Sequence, residues 1–184
     1  TEYRQENKNS SHITDFSIFN EKNNDNKTHF FYKYEKYLTS SYFDDVNLNL
    51  KVEKTSNDTY LRKNKILSPI IRSENILENN LGLNLYSENL SISSMFKVYE
   101  DLNKNNNDRY EFILPKLDII KTFENKSKLD GNFFLKSNNF IRSYSTNILE
   151  KININNFIFN SNPKISNKGF YNNYDFILKN VNSD

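Results

Sequence analysis

The chain has no cysteine, three glycines, three prolines and two histidines in 184 residues. The missing thiols exclude disulfides, thiolate metal sites and a cysteine nucleophile within this span. They do not assign a compartment, because periplasmic and outer-membrane segments also lack cysteine. Three glycines (Gly82, Gly131 and Gly169) leave no glycine-rich loop to cradle a phosphate. No run approaches the roughly 18 apolar residues of a membrane-crossing helix, although a membrane β-strand needs only about 9–11 alternating residues. Charge of one sign is also scarce. Twenty-five Lys and Arg against 23 Asp and Glu give a formal net charge of +2, too weak a field to gather nucleic acid. That balance also argues against reading the interleaved aromatics and lysines as a single-strand platform.

At 21.9 kDa the chain is long enough for one ordinary domain, and residues 1–184 are read as one. It opens on Thr1 without a methionine or a charged-then-apolar leader and is taken as an excerpt of a longer protein, so missing targeting signals carry no information. Only 36% of its residues are hydrophobic and its mean hydropathy is −0.82. Those values alone point to disorder. The 15% aromatic content points the other way, since disordered chains are depleted in aromatics. Low hydropathy with many aromatics fits a sheet wet on one side. The heavy use of Asn, Lys, Ile and Phe fits an AT-rich genome.

What is present in quantity is alternation. Val46-Asn-Leu-Asn-Leu-Lys-Val-Glu-Lys54 sends every second side chain to the same face of a strand. Its valines and leucines make a greasy side; Asn47, Asn49, Lys51 and Glu53 make a wet one. The pattern returns at His12–Phe19, with Phe16 and Ile18 aligned, and at Thr28–Leu38, where Phe30, Tyr32 and Tyr34 oppose His29, Lys33 and Glu35. Phe31 breaks the pattern by joining the polar side. Further strands are expected at Asn80–Glu88, Leu90–Glu100, Tyr110–Ile120, Asn132–Ser137, Tyr144–Phe159 and Phe170–Lys179. Ile148, Ile152, Ile154 and Ile158 share one parity in the longest of these. Pro115 lacks a ladder donor and implies an edge, a bulge or a strand start. Polar connections are expected at Asn20–Lys27, which joins a hairpin, and at Asp101–Asp108, a solvated loop tip. The region around Pro69 is irregular. Eight or nine strands joined by short connections, with no convincing helix, describe an all-β antiparallel β-meander.

Little in this pattern carries chemistry. His12 and His29 have no partner at metal spacing; Asp15 and Glu35 stand at unhelpful offsets, and a satisfied or solvent-facing histidine is the expected role of each. A histidine with one of the many serines makes a conceivable dyad, but no spacing supports it. No catalytic, cofactor-binding or metal-ligating residue is expected. Lys33, Lys51 and Lys97 read as solvated strand-face lysines.

Two stretches go beyond pattern. The first is Lys54-Thr-Ser-Asn-Asp-Thr-Tyr-Leu-Arg62, directly after a polar-alternating strand. The second is Val98-Tyr-Glu-Asp-Leu102 followed by Asp108-Arg-Tyr-Glu-Phe-Ile-Leu-Pro115 and a glycine-containing turn. In this order they resemble the C-terminal barrel domain of the LptD family of lipopolysaccharide-assembly proteins, also called OstA or organic solvent tolerance proteins. The look is that of alphaproteobacterial members. The resemblance runs from about Val46 to Phe159 and lacks the periplasmic jellyroll domain, the first and last barrel strands and the cysteines that many members use. It therefore assigns no lateral-gate residue.

The resemblance implies part of a large transmembrane β-barrel in the bacterial outer membrane. Such a barrel receives lipopolysaccharide from a periplasmic Lpt bridge and releases it into the outer leaflet, often around an LptE-like lipoprotein plug. It singles out Asp58, Tyr60, Leu61 and Pro115 as structural positions. The apolar faces would then meet outer-membrane lipid and the polar faces a lumen. A porin or receptor barrel shares this physics, and a surface-displayed adhesin-like all-β module is the soluble alternative.

Overall fold

The computed structural model describes residues 1–20, 26–125 and 129–184. The expected connection at Asn20–Lys27 therefore lies largely outside the described residues. The alternating segments form β1 (Glu2–Asn7), β2 (Ser10–Phe19), β3 (Lys27–Leu38), β4 (Asp45–Thr55), β5 (Ile76–Ser87), β6 (Leu90–Asp101), β7 (Tyr110–Phe123), β8 (Gly131–Tyr144) and β9 (Ile148–Ser161). They continue through a short β10 (Lys164–Ile165) and β11 (Tyr171–Asn172) pair to β12 (Asp175–Ser183). The main sheet has ten strands in the order β1 to β9 and then β12, every neighbour antiparallel. The chain is thus an all-β antiparallel meander, as its alternation leads one to expect.

Several boundaries differ from the sequence reading: β5 begins at Ile76 rather than Asn80, β7 runs on to Phe123, and β8 extends to Tyr144 rather than ending at Ser137. β1 is an additional strand of six exposed residues whose side chains show no clear apolar period. The expected strand over Tyr144–Phe159 begins in a tight turn: Ser145, Thr146 and Asn147 all adopt positive φ, and β9 starts only at Ile148. The final strand begins at Asp175 and runs to Ser183, because the chain first turns back through the β10–β11 pair.

Directly paired residues share a face, so register assigns faces across the whole sheet. One face carries Lys33, Lys51, Asn80, Lys97 and Arg142, linked pair by pair from β3 to β8. The other carries Leu48, Leu83, Leu85, Ile92 and Ile119. Segment 56–75, between β4 and β5, folds back over the first face, hereafter the covered face; the second is the bare face. Under this segment lies the buried apolar cluster of Phe31, Tyr60, Leu61, Ile70, Leu77 and Leu102. Phe31, whose parity broke the pattern, lies on the covered face and is fully buried there, unlike the exposed Tyr37 further along the same face of β3. Its burial explains its place on the polar side.

Pro115 sits at the bulge the sequence allowed for. Pairing of β7 shifts by one residue between Ile113 and Lys116 against both β6 and β8, which spares Pro115 a ladder donor. Downstream of it the faces exchange character. Asn138 pairs with Ile154 and Phe140 with Ile152, so Ile152, Ile154 and Ile158 lie on the covered face with the lysines. The apolar parity of β9 is therefore not on the same side as the leucines of β4 and β5.

Candidate functional site

The 56–75 segment is pinned where it leaves β4. Thr28 and Ser56 bond reciprocally: the Thr28 amide donates to Ser56 Oγ at 2.8 Å and the Ser56 amide to the Thr28 carbonyl at 3.0 Å. Asn57 Oδ1 then accepts from the Thr59 amide at 3.0 Å and from Thr59 Oγ1 at 2.9 Å, a local turn that Asn favours. One helical turn, α1 (Tyr60–Lys63), follows and drops Tyr60 and Leu61 into the cluster. The sequence reading had no helix at this position. Four residues are too short to show a helical period, so the turn is held by its buried side chains rather than by propensity.

Tyr60 is 2% exposed, and its hydroxyl lies 2.5 Å from Ser17 Oγ on β2. Ser17 Oγ is 2.9 Å from His29 Nδ1, and His29 Nε2 is 3.3 Å from Asp15 Oδ1. With the Nε2 proton directed at Asp15, Nδ1 accepts from Ser17 and Ser17 Oγ accepts from Tyr60. The order Asp, His, Ser is that of a nucleophile relay. Tyr60 caps the Ser17 hydroxyl, however, so the relay serves to satisfy a buried imidazole and to hold Tyr60 in place. His29 also stacks on Phe31 with ring centroids 4.5 Å apart. Its role as a satisfied histidine was legible; its partners were not. Asp15 and Ser17 share parity on β2, and the hairpin register sets Ser17 opposite His29. His12 is satisfied separately on the bare face by the Tyr32 hydroxyl at 2.8 Å.

Asp58 closes the segment onto the β6–β7 connection. Its carboxylate accepts two bonds from Arg109, Oδ1 from Nη2 at 2.6 Å and Oδ2 from Nη1 at 2.9 Å. Arg109 Nε also donates to Glu100 Oε1 at 2.7 Å. The bidentate bond from Arg109 holds Asp58 below the usual carboxylate range, and the bonds to Asp58 and then Glu100 raise the Arg109 guanidinium above its ordinary value. The tip of the Asp101–Asp108 connection is exposed from Asn103 to Asn106 and at Asp108, as expected of a solvated loop, and only its first turn is tied to the segment. Leu102 is buried beside Leu61, and its amide donates to the Asn75 carbonyl at 2.8 Å.

The lysines of the covered face also depart from the expectation of free solvation. Lys51 is buried between Glu53 at 2.6 Å and Glu78 at 3.3 Å. Lys97 reaches Glu78 at 3.1 Å, and Lys33 pairs with Glu35 at 2.9 Å. Glu53 accepts the Glu78 amide at 2.6 Å, and Asn79 Oδ1 accepts the Glu53 amide at 2.9 Å. A carboxylate is thereby inserted where β4 and β5 separate. Between this network and the returning segment lies a cavity of about 370 Å³ bordered by Lys33, Lys51, Arg72, Lys97, Glu35 and Glu78. Its lining offers hydrogen bonds and cations to an anionic or polyhydroxylated molecule. It offers no activated nucleophile.

Of the four positions singled out in the sequence, Asp58, Tyr60 and Leu61 meet in this one assembly; Pro115 stands apart at the β7 bulge. The two motif stretches meet through Asp58 and Arg109, 51 residues apart, and through the buried cluster that holds both Leu61 and Leu102. No protein-family model matches the chain, and neither a curated protein nor a solved structure does.

Proposed function

We propose that this chain is a wall segment of an outer-membrane β-barrel belonging to the machinery that inserts lipopolysaccharide into the outer leaflet. The observation that carries the reading is the meeting of the two LptD-like stretches at one rim of the sheet, Asp58 clasped by Arg109 beside Tyr60 and Leu61. Each stretch alone is moderately specific; that the two meet in one assembly supports reading them together.

Membrane physics supports the barrel part of the proposal. Nine of the ten sheet strands run nine to fourteen residues. Sandwich strands of a soluble module are typically about 5–6 residues. Across β4 to β7 the middle of the bare face is Val, Leu, Ile and Phe, interrupted by Ser94, a composition suited to lipid. One rim of that face carries a row of four phenylalanines, Phe123, Phe133, Phe159 and Phe176, and the other carries Phe16, Phe30 and Phe112. Aromatic side chains at the strand ends are what the membrane–water interfaces favour. The meander pairs the backbone of each inner strand on both sides, as hydrocarbon requires.

In this role the segment is wall rather than engine. Its covered face presents amides, paired lysines and the cavity beside Arg72 to a phosphorylated glycolipid or a plug lipoprotein, while the driving force comes from a periplasmic bridge. The test is fractionation of the full-length protein followed by its depletion in the host. A heat-modifiable outer-membrane band, with surface display of lipopolysaccharide lost on depletion, is the expected result. Recovery as a soluble monomer would end the barrel reading. An outer-membrane barrel whose depletion leaves lipopolysaccharide display intact would point instead to a porin or receptor.

A further inference from the structure

The cavity beneath the returning segment holds charge and hydrogen-bonding capacity that the fold leaves unspent. The covered face of β3 to β6 borders it on one side, and Pro69, Ile70 and Arg72 of the returning segment border it on the other. Three lysines on the sheet side are answered by three carboxylates: Glu35 takes Lys33, Glu53 and Glu78 hold Lys51, and Glu78 also takes Lys97. Arg72 is exposed and has no carboxylate partner among the described residues. One positive charge is therefore in excess at this cavity, and it stands opposite a neutralised wall.

The amides of the sheet side are also free. Asn47 and Asn49 border the cavity from β4, and neither side chain has a hydrogen-bond partner among the described residues. Asn49 has room for its amide because its pairing partner on β5 is Gly82: a Cβ there would sit 2.6 Å from Asn49 Oδ1. A side-chain amide has two N–H donors and an oxygen with two acceptor sites, and Glu35 and Glu78 keep acceptor sites beyond those their lysines use. A wall that donates and accepts at once matches hydroxyl groups, which do the same.

We infer that this cavity binds a sugar carrying one carboxylate, a hexuronic acid, with Arg72 receiving the carboxylate and Asn47, Asn49, Glu35 and Glu78 the ring hydroxyls. The planar guanidinium meets a carboxylate through two parallel bonds. A single surplus cation balances one carboxylate, whereas a phosphate monoester, with a charge of about −1.5 to −2 at neutral pH, is left partly uncompensated. The volume of about 370 Å³ lies at the small end of ligand sites, which suits a sugar unit rather than an acylated lipid. The inference rests on the covered face being the polar lining proposed above; it needs no lipid on the bare face. A free uronate and a uronate unit within a larger glycan offer the same chemistry, and a methyl glycoside separates the two.

The test is calorimetric titration of the full-length protein, kept in a detergent without a sugar headgroup, with glucuronate, glucose, glucose 6-phosphate and acetate. Glucuronate is expected to bind about tenfold more tightly than each of the others, the gain of a charge-assisted pair added to hydroxyl contacts. Arg72→Gln changes an exposed side chain without a partner and should remove the advantage of glucuronate over glucose; Arg72→Lys should keep part of it. Methyl glucuronoside bound as well as glucuronate identifies a unit within a glycan, and its rejection identifies the free acid; either result supports the site. Acetate bound as tightly as glucuronate, tighter binding of glucose 6-phosphate, or a preference unchanged in Arg72→Gln overturns it. A heat-modifiable protein that binds no glucuronate loses the site and keeps the barrel. A soluble protein that binds glucuronate through Arg72 keeps the site and loses the barrel.

Discussion

Replacing Tyr60 separates two contributions that meet in one side chain. Its ring lies in the buried cluster with Leu61, Phe31, Ile70 and Leu77, and its hydroxyl bonds to Ser17. Tyr60→Phe keeps the ring and removes one donor to Ser17. Ser17 still donates to His29, so a single lone pair loses its partner, at a cost of about 1 kcal/mol. Tyr60→Ala empties a site that is 2% exposed, and ring deletions of that kind cost about 3–5 kcal/mol. At about 1.4 kcal/mol per factor of ten, the two variants should differ by roughly 30- to 1,000-fold in their folding equilibria. The assay is urea titration of the extracted protein, scored by the heat-modifiable band, beside surface display of lipopolysaccharide. Tyr60→Phe should move the midpoint slightly, and Tyr60→Ala should lower the amount of assembled barrel. Once assembled, either variant should transport normally. Full insertion of Tyr60→Ala with selectively lost transport would refute the anchoring role. A Tyr60→Phe defect as large as that of Tyr60→Ala would place the role in the Ser17–His29–Asp15 relay rather than in the ring.

Other parts of the structure make sharper or milder demands. A double-mutant cycle between Asp58→Ala and Arg109→Ala should give a coupling of about 1 kcal/mol, kept small because Asp58 is 43% exposed. Arg109→Ala should cost more than Asp58→Ala because it also releases Glu100. Since folding holds Asp58 below its ordinary value of 3.8, this coupling should be complete at neutral pH and fade only as acid titrates through that lower value, measurable as cycles run at descending pH. Gly131→Ala should be poorly tolerated in the same urea titration, since its Cβ would sit 2.3 Å from the Asn160 carbonyl oxygen. Gly82→Ala should be mild, because it meets only the Asn49 amide, which can rotate away. Lys51→Met should cost about 3–5 kcal/mol by stranding the buried Glu53 without its cation, and adding Glu53→Gln should restore part of that.

The fold was legible because alternation is a local property that survives in any register. β3, β4 and β6 fall within a residue of where their side-chain patterns place them. The site was legible only in fragments. Asp58, Tyr60 and Leu61 stand out by resemblance, but nothing local announces that Arg109 will meet Asp58 across 51 residues. Ser17, His29 and Asp15 become neighbours through hairpin register, which the polar connection of β2 and β3 does not fix by composition. Lys51 looks like a surface lysine in its own strand. It is buried because a segment twenty residues long returns over it, and that segment carries no period to reveal its path.

The polarity exchange shows why parity within a strand is weaker evidence than parity across a sheet. Ile148, Ile152, Ile154 and Ile158 do share one face of β9, as their spacing requires. Which face that is depends on the turn before it. Tyr144 pairs with Ile148 across three residues of positive φ, and this odd number puts even-numbered residues of β8 opposite even-numbered residues of β9. A register with one residue fewer in the turn would oppose even to odd and send the isoleucines to the bare face, beside the leucines of β4 and β5. The bulge at Leu114 and Pro115 acts in the same way one strand earlier, consuming a residue and resetting the parity of β7 against both of its neighbours. The three left-handed residues, none a glycine, hold a backbone conformation that ordinary side chains resist. Such a turn persists only when the pairing it enforces is worth more than the strain. In this sheet that pairing includes a closed ring of side-chain bonds, Ser137 to Asn155, Asn155 to Asn153, Asn153 to Asn139 and Asn139 to Ser137.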